Sequence, residues 1–412
     1  MGKHIAVIIL IFLATTFAWM ILGASIVARS SSADSGLTRG VQSNWGSAQQ
    51  QSPPSAVARH IEPRTQEESA NGVTTKKVIN ATIETPLQIE QSRIRVALDL
   101  EQRQKGLLWF ATYRVAFHGD YVLRNSTPYD QVIVKLVFPA PDAIYDDLVV
   151  RADGQPLVLT AENGAVSAVI RRPSGAPIRL EVGYRSQGLG TWDYKFGENV
   201  SQVHDFVLQM TTNFDAIDFP QGGLSPTTKA KSGRGWLLTW QYSNLVTGYR
   251  IGMVMPEKLQ PGPLAGRISF FAPVSLLFFF FLIFIITRLR GIDLHPMHYF
   301  FLATSFFAFH LLLAYLVDHI SIHAAFLISS IVSVLLVVSY LRIVTGAQFA
   351  LMRAGVAQLV FLVLFSYAFF FEGYTGLTVT AGAIVTLFVL MQATAKVEWS
   401  AVFGGGAARA PA

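Results

Sequence analysis

Five ionisable side chains lie within or at the ends of long apolar runs in the C-terminal third of the sequence. They are His310 inside one run, Asp318 and His319 at its end, His323 at the start of the next, and Glu372 at the end of another. A charge at the centre of a bilayer costs about 2.5–3.5 kcal/mol on insertion scales. We therefore expect a polar cluster at one end of the apolar runs, which could bind a headgroup, a proton or another part of the chain.

Other interpretations of these residues stay open. Asp318, His323 and Glu372 could simply cap helix ends in the wet interface, and a neutral His310 could hydrogen-bond to a neighbouring helix. His319 and His323 have helical metal-ligand spacing, and the Glu372 carboxylate could be a third ligand. These two histidines flank a predicted turn, however, so we predict no metal site and no cofactor.

Composition limits the chemistry further. The 412 residues include no cysteine, and no Ser-His-Asp order or phosphate-binding glycine motif is visible, so we expect no catalytic residues and no enzyme. Hydrophobic residues make up 51% and charged residues 14%, against about 25% charged in typical soluble domains. The net charge of +6 comes partly from arginines in short loops, so we expect the lipid bilayer, and not nucleic acid, as a partner.

Six apolar runs are long enough to cross a membrane. Lys and Arg residues concentrate in alternate short loops, which indicates that both termini are cytoplasmic and residues 28–267 are external. We interpret the first run as an uncleaved anchor; cleavage after Ala28 or Ala33 is the alternative. The predicted spans are Ile5–Val27, Ile268–Thr287, Tyr299–Val317, Ile322–Leu341, Ala354–Phe371 and Leu377–Ala393.

The region between the first two spans has two parts. Residues 29–77 are rich in Ser, Gln, Pro and charged residues, which predicts a linker. Trp45 lies within it, and a tryptophan in a polar segment often packs against another part of the protein. Residues 78–267 show roughly eight to ten short strand patterns separated by turn dipeptides such as Asp153-Gly154. This pattern predicts an external antiparallel β-sandwich-like domain.

One external segment is irregular and dense in special residues. It contains Phe214, Asp218, Pro220 and Ser225, and such loops on rigid scaffolds often bind ligands. The same pattern is typical of a wide connection between sheets, which is the interpretation we favour. A binding loop remains the alternative.

Several short stretches resemble the CreD family of bacterial inner-membrane proteins. Trp45-Gly46-Ser47-Ala48-Gln49 is similar to the family's WG-x-x-Q stretch, and Tyr315–Ile320 is similar to its L-S-E-H-I stretch. Glu372-Gly373-Tyr374, with Gly382 beyond it, and the final Lys396–Trp399 resemble two further stretches. Asp318 stands where the family has Glu, and Gly373 where it has Asp. The resemblance implies a role in cell-envelope integrity, β-lactam stress and colicin tolerance, with no enzymatic activity.

Together these patterns predict an α+β membrane protein of the bacterial inner membrane. Its segments are an anchor over residues 1–28, a linker over 29–77, a periplasmic β-rich domain over 78–267, a five-helix transmembrane bundle over 268–399, and a flexible cytoplasmic tail over 400–412. The first functional hypothesis is a stress-response protein whose external domain binds an envelope component or a membrane protein partner. The second is a transporter or lipid-handling protein that uses the polar cluster, and the third is a membrane-embedded hydrolase.

Overall fold

The computed structural model describes residues 2–70, 73–105, 108–197, 200–371 and 373–395. These residues form two compact units. Of the described residues, the helical unit comprises 2–36, Leu108 and those in the range 259–395, and the β unit comprises those in the ranges 37–105 and 109–258. Each unit has its own buried apolar core.

Within the described residues, the helical unit contains six helices that are long and apolar enough to cross a membrane. This number agrees with the six predicted spans, and each helix is somewhat longer than its prediction. Pro261 and Pro296 each open a helix in its first turn, where a missing backbone N–H costs nothing. The helices are α1 Gly2–Trp45, α2 Pro261–Leu289, α3 Pro296–Leu316, α4 Ile322–Thr345, α5 Ala347–Phe370 and α6 Thr375–Thr394.

Small residues bring α1 and α2 into close contact. Gly23 lies against the ring of Phe270, and Gly266 lies against Val27 and Ile26. A Cβ at Gly23 would come within 2.9 Å of the Phe270 ring. Because lipid is as apolar as leucine, close van der Waals contact of this kind is a main source of helix association in membranes. The two helices are therefore held antiparallel in a defined register.

Helix α5 departs from regular α-helical geometry. It contains two π-helical segments, Ala350–Gly355 and Leu359–Leu364, and ends in a 3₁₀ turn over Ala368–Phe370. Aromatic rings fix it against α2, where Phe278 stacks on Phe361 with ring centroids 5.8 Å apart. Isolated π turns often mark functional positions in helices.

The β unit contains sixteen strands in the described residues, arranged in three sheets. The largest sheet has the strand order β14-β15-β13-β4-β5-β11-β7-β8, the second β3-β2-β6-β10-β9 and the third β1-β12-β16. The strands are β1 Gln49–Gln51, β2 Ser55–Ala70, β3 Val73–Pro86, β4 Ile89–Lys105, β5 Leu108–Arg124, β6 Gln131–Val137, β7 Tyr145–Ala152, β8 Gln155–Pro156, β9 Thr160–Glu162, β10 Ala165–Arg171, β11 Pro177–Leu189, β12 Thr191–Lys195, β13 Ser201–Thr212, β14 Thr228–Ser232, β15 Gly235–Thr247 and β16 Arg250–Val254.

One core joins the three sheets. Alternating side chains of the long strands point inward, and buried Trp192, Trp240 and Phe206 lie among them. Most strand pairs are antiparallel, as predicted, but β13 pairs with β4 and β1 pairs with β12 in parallel. The predicted α+β membrane class is therefore confirmed.

The predicted linker over residues 29–77 differs from the structure. Residues up to Trp45 continue α1, and β1, β2 and the start of β3 follow. Extending an existing helix avoids the cost of nucleation, so a polar sequence remains helical once the apolar part has formed. Gly46 then ends the helix at a φ of 80°, a conformation that favours glycine. The expectation of an irregular linker is wrong for these residues.

Candidate functional site

Asp318, at the end of α3, pairs with a residue of α1. Arg29 Nη2 lies 3.2 Å from Asp318 Oδ2 and donates a hydrogen bond of 2.8 Å to the carbonyl oxygen of Ala314. The same guanidinium lies 5.1 Å from the ring centroid of Tyr315. Arg29, which follows the first predicted span, thus neutralises Asp318. This contact fastens α1 to the end of α3 within the helical unit.

The other members of the predicted polar cluster have separate surroundings. His319 is exposed in the turn after α3, and His323 is exposed in the first turn of α4, with its ring centroid 5.1 Å from that of Phe370. Glu372 lies outside the described residues. Among the residues that are described, no three His, Asp or Glu side chains are grouped closely enough to hold a metal ion.

His310 is fully buried in the middle of α3. Its Nδ1 lies 2.9 Å from the carbonyl oxygen of Phe306 in its own helix. Since a carbonyl can only accept, Nδ1 carries the hydrogen in the neutral ring and Nε2 is an acceptor. Nε2 has no hydrogen-bond partner within the described part of the chain. The prediction placed the partner on a neighbouring helix, whereas the structure places it one turn away in α3.

A short hydrogen-bond chain joins three helices at Ser305, five residues before His310 in α3. Gln358 Nε2 of α5 donates to Ser333 Oγ of α4 at 2.8 Å, and Ser333 Oγ donates to the carbonyl oxygen of Ser305 in α3 at 2.7 Å. Gln358 and Ser333 are fully buried. Gln358 stands between the two π-helical segments of α5, so the irregular helix positions it. This chain can hold the three helices in register.

The candidate binding loop of the β unit forms hydrogen bonds with strands β15 and β16. The backbone N–H of Val254 donates to the carbonyl oxygen of Asp218 at 2.9 Å, and Trp240 Nε1 donates to that of Leu224 at 2.8 Å. Phe214 is buried in the core, Pro220 is half-buried, and Ser225 and Asp218 are exposed. These contacts favour the connection between sheets over the binding loop.

A buried carboxylate lies beneath this loop. Asp193 Oδ2 is 3.2 Å from Arg250 Nη1, while Asp193 Oδ1 is buried without a partner among the described residues. Burial raises the pKa of Asp193, and Arg250 offsets part of that rise. A Cβ at Gly252 would collide with Oδ1 and with the ring of Pro220. Gly252 and Pro220 therefore pack closely against the Asp193 carboxylate.

The Trp-Gly motif anchors the end of α1 in the β unit. The Trp45 ring lies 3.4 Å from the Arg103 guanidinium, and Ser47 Oγ donates to Asp142 Oδ1 at 2.8 Å. Gln49 Nε2 donates to Ser186 Oγ at 2.8 Å inside the core. A Cβ at Gly46 would come within 2.8 Å of a backbone oxygen of β11. Trp45, Gly46, Ser47 and Gln49 therefore each have a structural role here.

Strands β2 and β3 extend beyond their sheet as a two-stranded ribbon. β2 pairs with β6 only through Ser55–Ala58, whereas it pairs with β3 from Val57 to Ala70. Ile61 and Val78 are each 67% exposed on one face of the ribbon. An uncovered edge with apolar side chains is a common place for another chain to pair.

Sequence reasoning missed Arg29 as a partner of Asp318, and it missed Gln358, Ser333 and Asp193. Two signals pointed toward them. Ser329 and Ser333 stand four residues apart in an apolar run, and Gln358 is the one amide inside the fifth predicted span. Polar residues at helical spacing in a span are expected to face other helices.

Comparisons with known proteins bear mainly on the helical unit. Residues 263–400 match the family model described as "Inner membrane protein CreD". No curated protein has a sequence that matches this chain. Among solved structures, a candidate nutrient binding protein from Legionella pneumophila is similar at a TM-score of 0.34 and 9% identity, over 57% of this chain and 76% of that one.

A second similar structure is an M1 zinc metallopeptidase from Deinococcus radiodurans, at a TM-score of 0.29 and 12% identity. The similarity covers 41% of this chain and 42% of the peptidase. At these TM-scores neither structure supports an inference about activity. The family match covers α2 to α6 and agrees with the stretches that carried the resemblance there. The resemblance to the CreD family of inner-membrane proteins is therefore confirmed over residues 263–400.

Proposed function

We propose that the chain is a non-enzymatic inner-membrane protein of cell-envelope integrity or envelope-stress response. Its β unit lies outside the cytoplasm and binds an envelope component or a partner protein, while the helical unit anchors it. The family match and the six apolar helices support the membrane part of this proposal. The distribution of Lys and Arg among short loops supports the orientation.

The observation that carries the binding proposal is the ribbon of β2 and β3. β3 is an edge strand of its sheet, so one row of its backbone N–H and C=O groups has no strand partner among the described strands. Ile61 and Val78 supply apolar surface on the same face. A strand from a partner protein could pair with this edge and cover those side chains.

The test uses a deletion strain challenged with a β-lactam and with detergent. Complementation with Ile61→Asn/Val78→Asn should fail, because the apolar face of the ribbon is lost. Val169→Asn/Val246→Asn is the matched control, since these side chains are 59% and 65% exposed on other strands. Rescue by the ribbon variant at normal protein levels would refute this binding surface.

Orientation can be tested directly because the chain has no cysteine. Ser225→Cys places one thiol on the β unit, and Asp293→Cys places one in the loop between α2 and α3. A membrane-impermeant maleimide added to intact spheroplasts should label the first and not the second. The reverse pattern would place the β unit in the cytoplasm and exclude the proposal.

The second candidate function is transport or lipid handling. The observation in its favour is the set of buried polar atoms around His310 and Gln358 in the helical unit. In the same strain, failure of His310→Phe and Gln358→Leu with full activity of the ribbon variant would favour this candidate. His319→Ala tests the exposed end of the predicted cluster in the same way.

A further inference from the structure

Four helices of the helical unit each contribute a buried polar side chain with an unpartnered atom. The atoms are Trp19 Nε1, Ser275 Oγ, His310 Nε2 and Ser329 Oγ, on α1, α2, α3 and α4 respectively. All four residues are at most 1% exposed. None of these atoms has a hydrogen-bond partner in the part of the chain that the structure describes.

Helix register places these four residues at one depth. Gly23 faces Phe270 across α1 and α2, so Trp19, one turn earlier, is level with Ser275. Phe279 packs on Phe306 with ring centroids 4.6 Å apart, which places Ser275 level with His310.

The other two helices fit the same level. The ring of Phe309 packs on that of Phe326 at 5.4 Å, and Ser333 bonds to Ser305 one turn further along, so Ser329 lies within a turn of His310. The Trp19 and His310 rings meet edge to face with centroids 5.5 Å apart. The four atoms therefore form one layer in the bundle core.

A second layer lies about one helical turn away on the side of the α3 N-terminus. It contains Thr16 Oγ1 and Gln358 Oε1, which are also buried and unpartnered among the described residues. Thr16 is three residues before Trp19, and Gln358 is fixed by Ser333, four residues after Ser329. The unpartnered atoms thus continue from one layer to the next.

The chemistry of the first layer is complementary. Trp19 Nε1 can only donate, His310 Nε2 accepts in the neutral ring whose Nδ1 bonds to Phe306, and the two serine hydroxyls can do both. Leaving such groups unpaired in a low-dielectric interior costs free energy, and hydrocarbon cannot pair them. A water molecule supplies two donors and two acceptors and typically makes about three hydrogen bonds when buried.

We propose that this layer is an internal hydration site, in which water bridges Trp19 Nε1, His310 Nε2 and the hydroxyls of Ser275 and Ser329. The second layer extends the site toward Gln358. The inference is independent of the proposed envelope function, because it concerns only the interior of the helical unit. It gives His310 Nε2 a hydrogen-bond partner that a dry bundle would not supply.

The test is solid-state NMR of the full chain in lipid bilayers, with ¹⁵N-labelled tryptophan and histidine. Magnetisation transferred from water should reach the Trp19 indole proton several-fold faster than the Trp240 indole proton. Trp240 is the matched control because it is equally buried and donates to the carbonyl oxygen of Leu224. Loss of a signal in Trp19→Phe assigns the Trp19 resonance.

A pair of variants tests the source of the transfer. Ser329→Val should slow the transfer to Trp19, because a methyl group replaces a hydroxyl that binds the water. Ser330→Val should leave it unchanged, since Ser330 Oγ donates to Phe326 in its own helix. Equal transfer to Trp19 and Trp240 in the wild-type chain would overturn the proposal. A direct, water-independent hydrogen bond between the Trp19 and His310 rings would overturn it as well.

Discussion

The two units bury polar side chains in different ways. In the β unit, Gln49 donates to Ser186 and Gln51 accepts from Tyr184, so these glutamines form hydrogen bonds inside an apolar core. In the helical unit, Trp19, Ser275 and Ser329 are buried with no partner for their one polar side-chain group among the described residues.

The β unit also has unpartnered atoms, and Trp192 Nε1 and His60 Nδ1 are two of them. Gln49, Arg172 and Asp193 each have one such atom, but another atom of the same side chain is paired. Their polar groups define how the end of α1 and the neighbouring loops attach. In the helical unit, the polar groups of Trp19, Ser275 and Ser329 take part in no such attachment, which is why we propose water as their partner. Variants in each unit test this comparison.

The largest effect is expected in the β unit. Gln51→Leu removes the acceptor of the Tyr184 hydroxyl, which lies 2.7 Å from Gln51 Oε1. A buried hydroxyl without a partner should lower the free energy of unfolding by about 1–3 kcal/mol. Thermal unfolding of the full chain in detergent measures the loss. Gln50→Leu, at an exposed neighbouring position, should have little effect.

The double variant sharpens the same test. Replacing both partners, as Gln51→Leu/Tyr184→Phe, should recover most of the lost stability, because no polar group then remains unpaired. A double variant that is no more stable than Gln51→Leu alone would show that packing, and not the hydrogen bond, fixes β1 to the core.

A smaller loss is expected in the helical unit. Ser333→Ala breaks the chain from Gln358 to Ser305 and should cost about 1 kcal/mol, the scale measured for hydrogen bonds between membrane helices. Ser339→Ala is the matched control, because Ser339 is exposed and donates within its own helix. Equal unfolding temperatures for the two variants would mean that the hydrogen bonds from Gln358 through Ser333 to Ser305 add nothing to stability.

The smallest effect is the pH dependence that Asp193 gives to the β unit. Burial raises the pKa of Asp193 in the folded chain, so the folded state binds more protons than the unfolded state at pH values just above the usual pKa of an aspartate. Stability from this group is therefore largest at low pH and is lost as pH rises through the folded pKa.

Denaturant unfolding of wild type and Asp193→Asn at a series of pH values measures this effect. Wild-type stability relative to the variant should fall as pH rises through that range. A difference that grows with pH would show that the ion pair with Arg250, and not burial, dominates the energetics of the carboxylate.

The sequence predicted the six helices because each apolar run falls within the about 17–25 residues that a spanning helix needs, and the β-rich region because of its turn dipeptides. It did not predict the pairing of Asp318 with Arg29, since these residues are far apart in sequence and only helix register brings them together. The continuation of α1 to Trp45 was not predicted, because the polar composition of residues 29–45 indicated a linker. The candidate loop was recognised as structured, but its backbone bonds to Val254 and Arg250 depend on tertiary contacts.

The π-helical segment Leu359–Leu364 affects which side of α5 each residue occupies. A π turn holds one more residue than an α turn, and one residue corresponds to about 100° of rotation around a helix axis. Deleting a single residue between Gln358 and Phe365 would let this stretch become regular helix. Either Gln358 or the rings of Phe365 and Phe369 would then turn away from their present neighbours. The number of residues between Gln358 and Phe365 is therefore fixed by the need for both side chains to face their present neighbours. A deletion would change this number, whereas a substitution would not.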